Sequence, residues 1–130
     1  MMRSPDLLYW VDSPHLFFDA DVLKLVPKDI EKAEKLLKEA PSKKDALEQI
    51  NNAYMSMYCS VQAILHSIQY KTTHMRCIVT VLEDHFIKRG ILDRIHLDNF
   101  LRAQRIEGTP DESFQAAEAL LTAAKGIAVK

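Results

Sequence analysis

The chain has 130 residues, which is enough for one domain whose core needs neither disulfides nor a metal. Hydrophobic residues make up 48% and charged residues 27% of the sequence, and these values exclude a disordered chain. Three glycines and five prolines are too few for a turn-rich β-sandwich. The formal net charge of −1 excludes a strongly basic nucleic-acid coat protein, although a local basic patch is still compatible with it.

The N-terminal part of the chain lacks a regular apolar pattern. Residues 1–27 mix aromatic side chains with several aspartates, so we expect a segment that packs back onto the rest of the domain. The apolar stretch 7–11 is short and stops at Asp12, so we expect no secretory signal. We therefore divide the chain into an N-terminal segment, 1–27, and a helical domain, 28–130.

Proline and capping residues mark the first two predicted helices. Pro27 is placed to open the first helix and Pro41 to end it. Ser42 followed by Asp45 resembles a capping box, and we predict that the second helix runs from there to about Tyr70. Apolar residues recur every three or four positions, as in a helix packed at a shallow angle against its neighbours. They are Leu47, Ile50, Tyr54, Met57, Val61, Ile64 and Ile68.

The second helix contains no charged residue from Gln49 to Tyr70, a length that would span a bilayer. Its many amide, hydroxyl and imidazole groups would be costly in lipid, so we predict a buried helix and no membrane association. The two cysteines, Cys59 and Cys77, lie far apart, which does not fit a metal cluster or a disulfide framework. Buried free thiols are typical of the reducing cytoplasm, where we expect this protein to reside.

Two further helices are predicted after a short break. Thr72 or Thr73 is expected to cap the third helix, and Gly90 to close it. Asp93 is expected to cap the fourth helix. The residues predicted to face inward on the fourth helix are Ile95, Phe100 and Leu101.

The last helix has the clearest start. Thr109, Pro110 and Glu112 combine an N-cap, a proline in the first turn and a capping-box glutamate. No segment shows the sustained alternation of a strand. The sequence therefore predicts an all-α fold, an antiparallel up-and-down bundle of four to five helices joined by short connections.

A second stripe on the long helix is polar and aromatic but uncharged. It consists of Asn51, Met55, Tyr58, Gln62 and His66. A solvated helix face normally carries Lys and Glu, so a helix without charge on any face needs partners on more than one side. The stripe therefore contacts either the fifth helix and the N-terminal segment, or a second copy in a homodimer, which is the interpretation we favour.

Two arginines near the end of the fourth helix are the main candidates for ligand contacts. Arg102 and Arg105 are three residues apart and so lie on neighbouring positions of one helix face. They are either solvated cations that favour the helix dipole or a pair that binds a phosphate. The sequence has no HExxH or Cys/His ligand spacing and no phosphate-binding glycine loop, so we expect no metal and no cofactor.

Several segments, in this order, resemble the HEPN superfamily of small helical domains across about residues 28–128. Residues 53–65 (AYMSMYCSVQAIL) are similar to the family's helix AYYAMFHAARALL, and residues 70–74 (YKTTH) to the element Gy..ksH. Residues 86–93 (FIKRGILD) resemble F.k.GlLd, and residues 112–118 resemble the last helix of the family. Arg102 and Arg105 fall where the family has its helix-end arginines.

The resemblance implies a homodimer that binds a nucleotide or RNA, and it adds Tyr58 and His74 to the expected ligand-binding residues. Many members cut RNA without a metal through an R-x(4–6)-H motif and pair with a minimal nucleotidyltransferase in toxin–antitoxin modules. The resemblance does not imply sequence-specific DNA binding.

This chain departs from the family at the motif itself. No histidine follows Arg102 or Arg105 at the motif spacing, and Gly108-Thr109-Pro110 replaces the acid and tyrosine of the sister pattern R..aDY. His74 is the one substitute for the general base that the sequence suggests, unless it serves as a capping or core residue.

We therefore hold three hypotheses. The favoured one is a homodimeric HEPN-like domain that binds a nucleotide, RNA or protein partner without cutting RNA. The second is an active ribonuclease that uses Arg102, Arg105 and His74. The third is a helical interaction scaffold without a small-molecule site.

Overall fold

The computed structural model describes residues 16–128, which are mainly helical. The α-helices are α1 (Val26–Glu39), α2 (Ala46–Ser67), α3 (Met75–Leu82), α4 (Arg94–Gln104) and α5 (Pro110–Ala128). Short 3-10 helices cover Ala20–Leu25 and Ala40–Ser42, and a π-helical turn covers Glu83–Ile87. Two strands of two residues each, β1 (Phe17–Phe18) and β2 (Tyr70–Lys71), pair antiparallel. No sequence alternation predicted these strands, because each is too short to show one.

Helix α2 is the centre of the fold, and α1 and α5 pack along it. Ala33 of α1 and Ala117 of α5 are fully buried, and such small side chains let neighbouring helices approach closely. The Ser56 hydroxyl of α2 donates to the Ala33 carbonyl oxygen at 2.7 Å. This buried bond ties the two helices together in addition to their apolar contacts.

The helix starts confirm two of the predicted caps and correct another. The Asp93 carboxylate accepts from the Ile95 amide, and Thr109 and Glu112 form the reciprocal capping box of α5. The predicted cap of α2 at Ser42 is wrong. Asp45 caps this helix by accepting from the Glu48 amide at 2.9 Å, whereas the hydroxyl of Ser42 bonds back to the preceding helical segment.

The connection between α2 and α3 also differs from the prediction. Helix α2 ends at Ser67 rather than near Tyr70, and Gln69 has a φ of +68°, a conformation that ends the helix. His74, not a threonine, occupies the N-cap position of α3, and the Thr72 hydroxyl accepts from the His74 amide at 3.1 Å. The chain can therefore form the short strand β2 before it turns into α3.

Two apolar residues predicted to face inward are exposed. Leu47 is 59% exposed because it lies in the first turn of α2, one turn before Ile50, the first core residue of that helix. Ile95 is 51% exposed, whereas Leu97, Phe100 and Ala103 are buried. These three define the inner face of α4, and at 100° per residue Ile95 points elsewhere.

The N-terminal segment is described from Leu16 onward, so residues 1–15 of the predicted 1–27 segment lie outside the described residues. Leu16 and Val22 are buried, at 1% and 4% exposure. Within residues 16–128, no helix combines the length and apolar character that a membrane crossing requires.

Candidate functional site

The predicted site residues fall in three separate places. Tyr58 and His74 line one cavity, Arg102 lines another, and Arg105 is exposed and lies outside both linings. His74 and Arg102, which the ribonuclease hypothesis places in one active site, therefore line different cavities.

The first cavity lies beside α2 and has a volume of about 600 Å³. We call it the α2 cavity. Its lining residues are Phe17, Leu25, Tyr58, Gln62, His66, Lys71, Thr72, Thr73 and His74. The lining residues on α2 recur every four positions, so Tyr58, Gln62 and His66 lie on one helix face.

Hydrogen bonds fix the polar groups of this wall. The Gln62 amide donates to the Thr72 carbonyl oxygen at 3.0 Å, which joins α2 to the residue after β2. The His66 Nδ1 lies 2.6 Å from a carboxylate oxygen of Asp29 on α1. Burial raises the pKa of Tyr58, so its hydroxyl is protonated at neutral pH.

The predicted dimer stripe divides into a buried and an exposed part. Gln62 and His66 are only 8% and 7% exposed within the single chain. Asn51 and Met55 are exposed, and Tyr58 is partly buried. The surface that this stripe leaves accessible on the single chain is therefore confined to its first two turns.

The second cavity lies between α4 and α5 and has a volume of about 350 Å³. We call it the α4–α5 cleft. Its polar lining residues are His96, Asn99, Arg102, Glu107, Glu112, Ser113 and Gln115. Among residues 16–128, the buried Nδ1 atom of His96 has no hydrogen-bond partner. A buried polar atom of this kind normally has one, so His96 is a lining residue whose hydrogen bonding is incomplete.

The charged side chains at the α4–α5 cleft differ in how closely they are paired. The Arg105 guanidinium lies 2.6 Å from Glu107, and this contact raises the pKa of Arg105 and lowers that of Glu107. The Glu112 carboxylate accepts from the Thr109 amide at 3.0 Å, and this hydrogen bond lowers the pKa of Glu112. Arg102 meets Glu112 only at 3.9 Å. Arg102 is therefore held less closely than Arg105.

His96 is the site residue that the sequence reasoning missed. It precedes Arg102 by six residues, whereas the family motif places its histidine after the arginine. The residues are about 9 Å apart along the helix axis, and long side chains bring them to one cleft. A search for His/Arg pairs in either order would have found it.

The cysteines and acidic residues add no further chemistry. Cys59 and Cys77 are free and buried, as predicted, and burial raises the pKa of both thiols. Residues 16–128 contain no group of three His, Cys, Asp or Glu side chains that could hold a metal ion.

Comparison of the chain with protein-family models, with curated proteins and with solved structures gave no match.

Proposed function

We propose that this chain is a HEPN-like domain that forms a homodimer and binds a phosphate-bearing ligand in the α4–α5 cleft without cutting RNA. The observation that carries the proposal is that Arg102, His96 and Asn99 line one cleft. A guanidinium with an amide and an imidazole beside it supplies several hydrogen-bond donors, which suits a phosphate group of a nucleotide or of RNA.

The charges of the cleft support a small ligand over a long nucleic acid. Glu107 is bound by Arg105, and Glu112 lies in the capping box, so Arg102 is the cation of the lining that a phosphate would meet. Tight binding of a long RNA draws its affinity from many neutralised phosphates. One guanidinium beside two carboxylates fits at most one phosphate at a time.

The partners follow from the resemblance and from the exposed part of α2. Asn51 and Met55 offer an uncharged, exposed surface for a second copy. A minimal nucleotidyltransferase is the protein partner that the HEPN resemblance implies, as the other half of a toxin–antitoxin-like module.

Active metal-independent cleavage of RNA is the second candidate, and one observation favours it. His96 lines the same cleft as Arg102, and among residues 16–128 its buried Nδ1 has no hydrogen-bond partner. An imidazole there can accept the proton of a ribose 2′-hydroxyl while the guanidinium stabilises charge on the phosphate. His96 replaces His74 in this mechanism, since His74 lines the α2 cavity.

The binding proposal is tested by calorimetric titration of the full chain with AMP. Arg102→Ala should weaken binding by about tenfold or more, because a hydrogen bond to a charged group is worth about 1.5–3 kcal/mol. The matched control is Arg94→Ala, at the start of the same helix, where the guanidinium pairs with Glu83 outside the cleft lining. Equal affinities of both variants and the unmodified chain would refute the proposal. Absence of AMP binding together with an unchanged melting temperature would favour the scaffold hypothesis.

Cleavage is tested in parallel with a mixed-sequence RNA in the presence of a chelator. The binding proposal expects intact RNA. Cleavage that His96→Ala abolishes and His74→Ala leaves unchanged would establish the ribonuclease instead. Cleavage that only His74→Ala abolishes would contradict both assignments to the α4–α5 cleft.

A further inference from the structure

The α2 cavity has the size and the mixed lining of a small-molecule site. Its volume of about 600 Å³ lies within the usual range for ligand pockets, roughly 300–1,000 Å³. Phe17, Leu25 and the ring of Tyr58 supply apolar and aromatic surface, which favours a flat ring system. Phe17 and Leu25 are 53% and 39% exposed, so a ligand here would cover apolar surface that now faces water.

One wall of this cavity presents an imidazole in a fixed orientation. The Nδ1 of His66 donates its proton to the carboxylate of Asp29 at 2.6 Å. Because Asp29 holds the ring in place, the imidazole is oriented before a ligand arrives. His66 therefore offers the lining a positioned polar group for a hydrogen bond to a ligand.

The cavity also selects by charge. Of the lining residues that the structure describes, Lys71 alone carries a permanent charge, and its side chain is exposed. The carboxylate of Asp29 pairs with His66 and does not itself line the cavity. The exposed Lys71 attracts an anionic ligand to the cavity, with an attraction that salt weakens.

We propose that the α2 cavity is a binding site for a small planar aromatic acid. The ring system lies against Phe17, Leu25 and Tyr58, an N–H or O–H donor meets His66, and the carboxylate meets Lys71. This site is separate from the α4–α5 cleft and needs no phosphate, so the proposal does not rest on the proposed function.

Indole-3-acetate serves as the probe because it combines a flat bicyclic ring, one N–H and one carboxylate. Calorimetric titration of the full chain should give saturable binding with one molecule for each chain. Lys71→Ala should weaken it about two- to fivefold at low salt, as expected for an exposed ion pair. The matched control is Lys38→Ala, an exposed lysine of α1 outside the cavity lining, which should bind like the unmodified chain.

Analogues and a filled cavity test the other contacts. Naphthalene-1-acetate lacks the N–H and should bind about threefold to tenfold more weakly, because a buried hydrogen bond is lost. Tryptamine replaces the carboxylate by an ammonium group and should bind more weakly than indole-3-acetate binds to Lys71→Ala, because the attraction to Lys71 becomes a repulsion. Leu25→Trp fills the cavity from its rim and should abolish binding, while circular dichroism verifies that the helices are retained.

The proposal is overturned by absence of saturable binding, by equal weakening in Lys71→Ala and Lys38→Ala, or by binding that survives Leu25→Trp. Loss of binding in Arg102→Ala would show that the probe binds in the α4–α5 cleft, and this result would also overturn the proposal. Sedimentation measured with and without the probe identifies a competing occupant. Dissociation of a dimer by the probe would mean that a second copy covers this cavity, against the proposal.

Discussion

Removal of the Asp29 carboxylate tests how the fold holds the α2 cavity together. Asp29 lies in the first turn of α1 and binds His66 on α2, with side chains only 19% and 9% exposed. Asp29→Ala leaves the imidazole buried without its charged partner. We expect a clear loss of stability although the substitution removes no core hydrocarbon.

The magnitude follows from two contributions. A hydrogen bond to a charged group contributes about 1.5–3 kcal/mol, and a carboxylate near a helix N-terminus contributes about 0.3–1 kcal/mol. Asp29→Ala should therefore lower the free energy of unfolding by about 2–4 kcal/mol, a large share of the total for a domain of this size. Asp29→Asn should cost less, because an amide still forms a neutral hydrogen bond with the ring.

Urea unfolding followed by circular dichroism measures these differences in the free energy of unfolding. An unchanged m-value would show that the substitution alters the compactness of neither the folded nor the unfolded state. The matched control is Asp21→Ala. Asp21 pairs with Lys24 at 3.9 Å, and both side chains are more than four-fifths exposed, at 86% and 83%. Such a pair contributes at most about 1 kcal/mol. Equal losses in Asp29→Ala and Asp21→Ala would refute the reasoning that burial makes the Asp29 pair strong.

Four further predictions concern the helices, the thiols and the proposed dimer. Hydrogen bonds from the N-cap threonine lower the pKa of Glu112 below 4.5. The ionised carboxylate therefore stabilises the fold above pH 4.5, and this stabilisation is lost as the pH falls through the lower pKa of the folded state. In urea unfolding below pH 5, the free energy of unfolding should fall less steeply with pH for Glu112→Gln than for the unmodified chain. Phe100→Leu should lower the free energy of unfolding by about 1–2 kcal/mol, because this fully buried ring stacks on a tyrosine of α2 with centroids 5.4 Å apart. A loss of stability too small to measure in urea would show that the stack contributes nothing. Cys59 and Cys77 should resist a thiol reagent in the native protein and both react in urea, since burial raises their pKa; native reactivity would contradict the burial. Met55→Glu should convert the proposed dimer to a monomer in sedimentation, whereas an unchanged dimer would remove the first turns of α2 from the interface.

Local sequence signals predicted the starts of α4 and α5. The caps at Asp93 and Thr109 depend on residues at most three positions away, so the sequence alone contains what is needed. The start of α2 was predicted three residues too early, because two residues with capping side chains lie close together. Asp45 takes this role, since the Glu48 amide reaches its carboxylate and leaves Ser42 outside the helix.

Burial was predicted less well where an apolar residue lies near a helix end. Leu47 and Ile95 continue an apolar pattern but lie on exposed surface. Apolar residues are common on protein surfaces, so the pattern is reliable only where several turns agree. The π-helical turn Glu83–Ile87 directly follows α3, and no local sequence rule predicts such a turn.

The arrangement of the site was beyond the sequence because it depends on contacts between distant segments. Asp29 and His66 are 37 positions apart and bind only after α1 packs on α2. The α2 cavity likewise joins residues of β1, α2 and the β2–α3 connection, and its lining includes Tyr58 and Gln62, two residues that the sequence assigned to a dimer surface. A polar, uncharged helix face needs a partner, but that partner is in part the same chain.

The two histidines show why a motif spacing alone does not identify a catalytic pair. His74 was chosen because the resemblance places a histidine at the start of that helix, yet it lines the α2 cavity, away from the lining that holds Arg102. His96 precedes Arg102 and breaks the order of the family motif, yet both line the α4–α5 cleft. Proton transfer and charge stabilisation require proximity in space and not an order along the chain. A test of ribonuclease activity in this protein must therefore change His96 before it changes His74.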